Sequence, residues 1–161
     1  MKPQLNCILV IDDDEPTNFF TRMILEESGC TRYIKIVQSG REALDYLSNS
    51  AQPGCDENCY PCPDLILLDI NMPAMNGWEF LEEYKKLDKE HRAKIITVML
   101  TTSLFPEDMA RAKEIPEISG FENKPLTTEK LEEILQKHFV NDNASGKLLS
   151  DDEAQSGRVA A

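Results

Sequence analysis

Residues 64–77 read DLILLDINMPAMNG: an unbroken apolar run closed by Asp69, then a turn rich in Met, Pro, Asn and Gly. A short apolar run without alternation reads as a strand buried on both faces, the kind found in parallel sheets covered by helices. The pattern recurs on either side. Residues 5–11 (LNCILVI) are apolar and stop at Asp12-Asp13-Asp14-Glu15. Residues 94–100 (KIITVML) stop at Thr101-Thr102-Ser103. Shorter runs at 33–37 and 118–122 bring the strands to five, the last ended by Lys124-Pro125.

Helical patterns fill the gaps. Pro16 suits a first turn, Phe19, Phe20, Met23, Ile24 and Leu25 recur at helical spacing, and Gly29 ends that helix. Ser39 with Glu42 reads as a capping box ahead of the apolar face Ala43, Leu44 and Leu47. Trp78, Leu81, Tyr84 and Lys85 mark a third helix, and Pro106 opens a fourth. Leu131, Ile134, Leu135 and Phe139 mark the last, capped by Thr127 or Thr128. Strands alternating with helices predict an α/β fold. It is a doubly wound (βα)5 three-layer sandwich around a five-stranded parallel sheet.

The 161 residues carry 29 acidic against 17 basic side chains, a net charge of -12. A field of that sign repels nucleic acid and anionic lipid and favours cations, divalent metal included. Apolar runs fall far short of the ~20 residues that span a bilayer. The first residues lack the apolar stretch of a signal peptide, so the expected location is cytoplasmic. Periodicity fails from Val140 onward, where four acids face two bases. Residues 1–139 are therefore expected to form the domain, and 140–161 a disordered acidic tail.

Of the five cysteines, Cys7 and Cys30 are far apart, while Cys55, Cys59 and Cys62 crowd a polar loop over 50–63 that is long for its place. Cys55-x3-Cys59-x2-Cys62 could bind zinc. A structural zinc site wants four ligands, however, and His91 and His138 are distant in sequence. Free, reduced thiols are the expectation.

In doubly wound sheets the site lies beyond the carboxyl ends of the strands. Asp12 and Asp13 end the first strand, Asp69 the third, Thr101 the fourth and Lys124 the fifth. Crowded carboxylates raise one another's pKa, and a hard divalent cation with oxygen ligands removes that cost. One carboxylate then remains as a nucleophile toward phosphorus, with a lysine and a hydroxyl to neutralise phosphoryl oxygens. The arrangement predicts metal-assisted phosphorylation of an aspartate.

The acidic pair, LLDINMP with Asp69, Gly77 after the turn, Thr101 and Lys124-Pro125 occur in order over about residues 5–139. In this the sequence resembles the receiver domain of two-component response regulators, most closely the stand-alone, chemotaxis-regulator-like kind. The resemblance implies a flavodoxin-like sheet and a phosphoacceptor in a phosphorelay. Asp69 would take its phosphoryl group from a sensor histidine kinase or histidine phosphotransfer protein. Mg²⁺ or Mn²⁺ would be held by Asp12, Asp13, Asp69 and the backbone carbonyl of Asn71. Lys124 and Thr101 would bind the phosphoryl oxygens, Thr101 moving and Phe121 rotating inward behind it. The surface of the fourth helix, fifth strand and fifth helix would then bind a downstream protein or a second copy. The chain would thus be a monomer or a phosphorylation-dependent homodimer, with no nucleic-acid or membrane partner. It would be a switch rather than an enzyme, catalysing only its own phosphoryl transfer and slow autodephosphorylation.

Three features depart from the family pattern. Thr102 stands where Ala or Gly is common, the Cys-rich loop is long, and the fourth helix is short before Ile115-Pro116. A rival reading, a haloacid-dehalogenase-type phosphatase, needs Asp-x-Asp-x-Thr/Val after the first strand, where Pro16 stands instead. Its nucleophile would also lie on the first strand, not the third. A receiver that binds partners without phosphorylation is disfavoured because all five site residues are present.

Overall fold

The computed structural model describes residues 4–51, 60–93, 95–101 and 106–140. Five strands form one parallel sheet: β1 (Leu5–Ile11), β2 (Thr31–Val37), β3 (Leu65–Asp69), β4 (Ile95–Thr101) and β5 (Ile118–Asn123). Their order is β2-β1-β3-β4-β5. The helices are α1 (Glu15–Ser28), α2 (Gly40–Ser48), α3 (Gly77–Tyr84), α4 (Pro106–Lys113) and α5 (Thr128–Leu135). This is the doubly wound, flavodoxin-like α/β fold expected. The chain turns outward from β1 to β2 and then crosses back to β3. With right-handed crossovers, α1 covers one face and α2, α3 and α4 the other. Residues 4–127 make one compact unit; Met1–Pro3 and Thr128–Ala161 are grouped as another. Within the latter, Leu131, Ile134 and Leu135 are the buried residues of α5, as expected. Phe139 is half-buried in the π-helical turn Gln136–Val140 that follows. Residues 141–161, expected as a tail, lie outside the described residues.

The core explains the strand assignments. Every residue of β3 is buried, and β1 is buried except at Asn6. Side chains alternate across a strand. Leu9, Ile11, Ile66 and Leu68 accordingly join Ala43, Leu44, Leu47, Phe80, Leu81, Tyr84 and Ala112 in one cluster. Cys7 O accepts from Asp64 N at 2.8 Å, and Asp64 Oδ2 accepts from Asn6 N at 2.6 Å, fixing the amino end of β3 beside β1.

Local chemistry sets the element ends. Asp14 caps α1 through Thr17 N at 3.0 Å, and Gly29 closes it at φ 63, the left-handed region glycine enters without steric cost. Ser39 caps α2 through Glu42 N, and Glu42 Oε1 accepts from the Ser39 hydroxyl at 3.4 Å and from Gln38 N at 3.1 Å, instead of from the Ser39 backbone N–H that a capping box would use. The reciprocal capping box occurs instead at α3, between Asn76 and Glu79. Gly77 N donates to Ile70 O at 2.8 Å and closes the β3–α3 turn. A Cβ at Gly40 would stand 2.6 Å from Met75 Sδ, so a larger residue there would have to push the flexible Met75 side chain aside. At α4, the Arg111 guanidinium stacks over the Trp78 ring at 4.4 Å.

Two expectations are corrected. The apolar set of α1 does not face inward as one: Leu25 is fully buried, but Phe19 is 63% and Phe20 60% accessible. The inward stripe is Asn18, Thr21 and Leu25, equally regular at helical spacing but partly polar. Within 50–63, read as loop, Ser50–Ala51 and Tyr60–Pro61 pair as a short parallel ladder. Cys55 and Cys59 lie outside the described residues. Among those described, no helix is long and apolar enough to cross a membrane.

These exposures make a test. Phe20→Ala is expected to change stability by less than about 0.5 kcal/mol, whereas Leu25→Ala, fully buried, costs about 2–5 kcal/mol. Urea denaturation of the two variants side by side checks it.

Candidate functional site

The first strand ends where the second supports it: Asp12 N donates to Val37 O at 3.1 Å. Asp12 and Asp69 then emerge on adjacent strands, β1 and β3, at the point where the strand order reverses. Both are buried, at 2% and 3% exposure, while Asp13 faces solvent. One carboxylate oxygen from each of Asp12, Asp13 and Asp69 lies within 4.8 Å of the others, a cluster able to hold a metal ion.

Lys124, one residue beyond β5, reaches the same place. Its Nζ is 2.8 Å from Asp12 Oδ2 and 3.3 Å from Asp69 Oδ1. Two backbone amides complete the frame: Asp14 N donates to Asp12 Oδ1 at 3.0 Å and Asn71 N to Asp69 Oδ1 at 3.3 Å. Four of the sequence-predicted residues, Asp12, Asp13, Asp69 and Lys124, are thus gathered, with the Asn71 backbone beside them. Thr101 ends β4 in register with Asn123, one position beyond the Leu100–Asp69 pair, which puts its backbone at the same edge. Phe121 is not in the cluster; it is half-buried against the hydrophobic core. Thr102 lies outside the described residues.

One residue escaped the sequence reading. Asn18 Nδ2 donates to the Asp12 carbonyl at 2.8 Å from inside α1, fixing the backbone beside the cluster. Its only signal is its place in the Asn18, Thr21, Leu25 stripe, which a search for apolar residues passes over.

Charge explains what the site lacks. Burial, then the charge of Asp12, pushes Asp69 up to about 6, against the lowering pull of Lys124 and the Asn71 amide. For Lys124, burial works against the charge, but hydrogen bonding to Asp12 and the charges of Asp12 and Asp69 outweigh it and raise its pKa. One ammonium thus serves three carboxylates, and a hard cation with oxygen ligands fits the remainder.

Fold and site together define the receiver class of signalling domain. The response regulator receiver domain family matches residues 8–136, and the chain belongs to that family. It is similar to a two-component response regulator from Cytophaga hutchinsonii, with a TM-score of 0.69 and 30% identity. That likeness covers 92% of this chain and 99% of the other. It resembles the chemotaxis protein CheY4 of Vibrio cholerae at 26% identity and a TM-score of 0.67, over 84% of this chain and 99% of the other. Response regulator Rcp1 of Synechocystis is 32% identical over 67% of this chain and 69% of its own length. The chain spans only 31% of another relative, a probable cyclic di-GMP phosphodiesterase of Vibrio cholerae, at 29% identity over 95% of this chain.

The raised Asp69 carboxyl predicts a stability effect. Between its ordinary 3.8 and about 6, the folded chain keeps a proton that the unfolded chain has lost, so stability falls as pH rises through that window. Asp69→Asn removes the penalty. Without divalent ions it is expected to raise Tm above pH 6 by roughly 3–8 °C, with the gain vanishing below pH 4. Melting curves in chelator across pH check this.

Proposed function

We propose that the chain is a phosphoacceptor response regulator of a two-component phosphorelay, taking a phosphoryl group on Asp69 from a histidine kinase or phosphotransfer protein. The observation that carries this reading is the pairing of Asp69 with Lys124 at 3.3 Å beside two further carboxylates, at the switch point of the sheet.

Asp69 attacks phosphorus with an oxygen lone pair, an acyl phosphate bond forms, and the phosphorus–nitrogen bond to the donor imidazole breaks. Asn71 N–H orients the carboxylate, and Lys124 turns from the carboxylates to the phosphoryl oxygens. Asp12, Asp13, Asp69 and the Asn71 carbonyl would hold Mg²⁺ or Mn²⁺, which would supply the positive charge the transferring oxygens need. The Thr101 hydroxyl then binds a phosphoryl oxygen, and Phe121 moves with it. The change passes to α4 and β5, which alter their affinity for a downstream protein or a second copy. Slow hydrolysis of the acyl phosphate resets the switch in the cytoplasm. The domain boundary at residue 139 and an acidic tail beyond it belong to the same proposal.

The exposed face of α1 supports the donor side. Phe19, Phe20 and Met23 form an apolar surface on the helix whose Asn18 grips Asp12, close to where a donor imidazole must approach.

Acetyl phosphate with Mg²⁺ is expected to add one phosphoryl group by intact mass, lost in base, and Asp69→Asn to add none. Full labelling of Asp69→Asn overturns the assignment. A second outcome separates docking from chemistry. Phe19→Ser/Phe20→Ser is expected to slow transfer from a phosphohistidine donor at least about tenfold, the cost of roughly 1.4 kcal/mol of docking energy, and to leave labelling by acetyl phosphate unchanged.

A further inference from the structure

The three carboxylates of the cluster are not anchored alike. Lys124 bonds the side chains of Asp12 and Asp69, and a backbone amide bonds each of them as well. Asp13 faces solvent, and among the described residues no hydrogen bond or ion pair holds its side chain. One of its oxygens nevertheless lies within 4.8 Å of theirs. An exposed carboxylate owes such a place to its backbone.

Asn18 grips that backbone from both sides. Its N donates to Asp14 O at 3.0 Å, and its side-chain Nδ2 donates to Asp12 O at 2.8 Å. These are the carbonyls of the two neighbours of Asp13. The Asp12 carbonyl belongs to the rigid peptide plane whose nitrogen is that of Asp13, so the Nδ2 bond sets the plane from which Asp13 departs. The next plane carries Asp14 N, which donates to Asp12 Oδ1 at 3.0 Å. The bond to Asp14 O is an ordinary helical one. The bond to Asp12 O needs a side-chain donor.

The amide sits there at a cost. Asn18 is only 6% exposed, and its Oδ1 is buried with no hydrogen-bond partner among the described residues. An apolar side chain in the same inward stripe as Leu25 would carry no such loss. A half-satisfied buried amide is better explained by what its Nδ2 holds than by packing.

We propose that Asn18 is a positioning residue for the metal site, holding the Asp12–Asp13 peptide so that the Asp13 carboxylate stays beside those of Asp12 and Asp69. This role rests on the metal-assisted reading of the cluster, to which it adds a residue outside the ligand set. Without the Nδ2 bond, the ordering of Asp13 that folding now supplies falls to the binding step and lowers affinity.

NMR titration of the full chain with Mg²⁺ tests it. Asn18→Leu, close in volume but without a donor, is expected to weaken Mg²⁺ binding at least about tenfold, the lower end for a residue that supports a metal's ligands. Thr21→Val, on the same buried stripe, is expected to leave the affinity unchanged, which separates positioning from a general loosening of α1. With Asp13→Asn already in place, Asn18→Leu is expected to cost less than about twofold more, because the carboxylate it positions is gone. Reciprocity lets the same coupling be read in the unaltered chain, whether or not the leucine variant folds. Saturating Mg²⁺ is expected to slow solvent exchange of the Asn18 side-chain amide at least about tenfold. A folded Asn18→Leu chain with unaltered affinity overturns the proposal. So does an equal loss in Thr21→Val, a loss that persists undiminished with Asp13→Asn, or an Asn18 amide whose exchange ignores the metal. An unaltered chain that binds no Mg²⁺ overturns the metal-assisted reading itself, and this role with it.

Discussion

One lysine facing three carboxylates is the constraint around which the carboxyl edge of the sheet is organised. Lys124 Nζ bridges Asp12 and Asp69, both almost wholly buried, and its single positive charge cannot balance them together with Asp13. Breaking a buried pair by removing one partner costs several kcal/mol, so the lysine is also what allows the two acids to share the space. Much of the surrounding structure serves this grouping. The register of β1 with β3, the Asn71 and Asp14 amides and Asn18 all fix carboxylates or their backbone. The residual negative charge makes the edge receptive to a cation.

The central strands β1 and β3 were legible because burial on both faces leaves a signature that needs no context. The run LILLD of β3 admits no amphipathic reading, and the acid at its end falls where chain reversal puts ligand sites. The carboxylates and Lys124 followed from the same rule. Helix faces were less legible. In α1 two stripes share helical spacing, and the more apolar one points outward. Hydrophobicity ranks residues by their cost in water, whereas the inward stripe includes Asn18, which holds the Asp12 carbonyl. The capping residues show a similar limit. Ser39 and Glu42 have the right spacing for a reciprocal box, yet Glu42 bonds one residue further back, while Asn76 and Glu79 form the box unannounced.

The amino end of the sheet was opaque for a different reason. A ladder of two residues has no periodicity to detect, and the approach of Cys62 to Arg92 joins segments thirty residues apart. Such proximity is a product of β3 and β4 being neighbours in the sheet, so it exists only once the topology is known. The two ends of the same strands are therefore unequally visible: strand-end acids announce themselves, while a contact made through a distant turn does not.

The stacking of Arg111 on Trp78 has an optical consequence. Trp78 is the sole tryptophan, so the emission of the folded chain comes from one ring whose environment two elements define. It lies in the first turn of α3, just after the turn that leaves Asp69, and a guanidinium from α4 covers its face. Any rearrangement that carries α4 away removes a cation from the indole and shifts its fluorescence. The protein thus contains its own optical gauge of the distance between α3 and α4, with no label to attach.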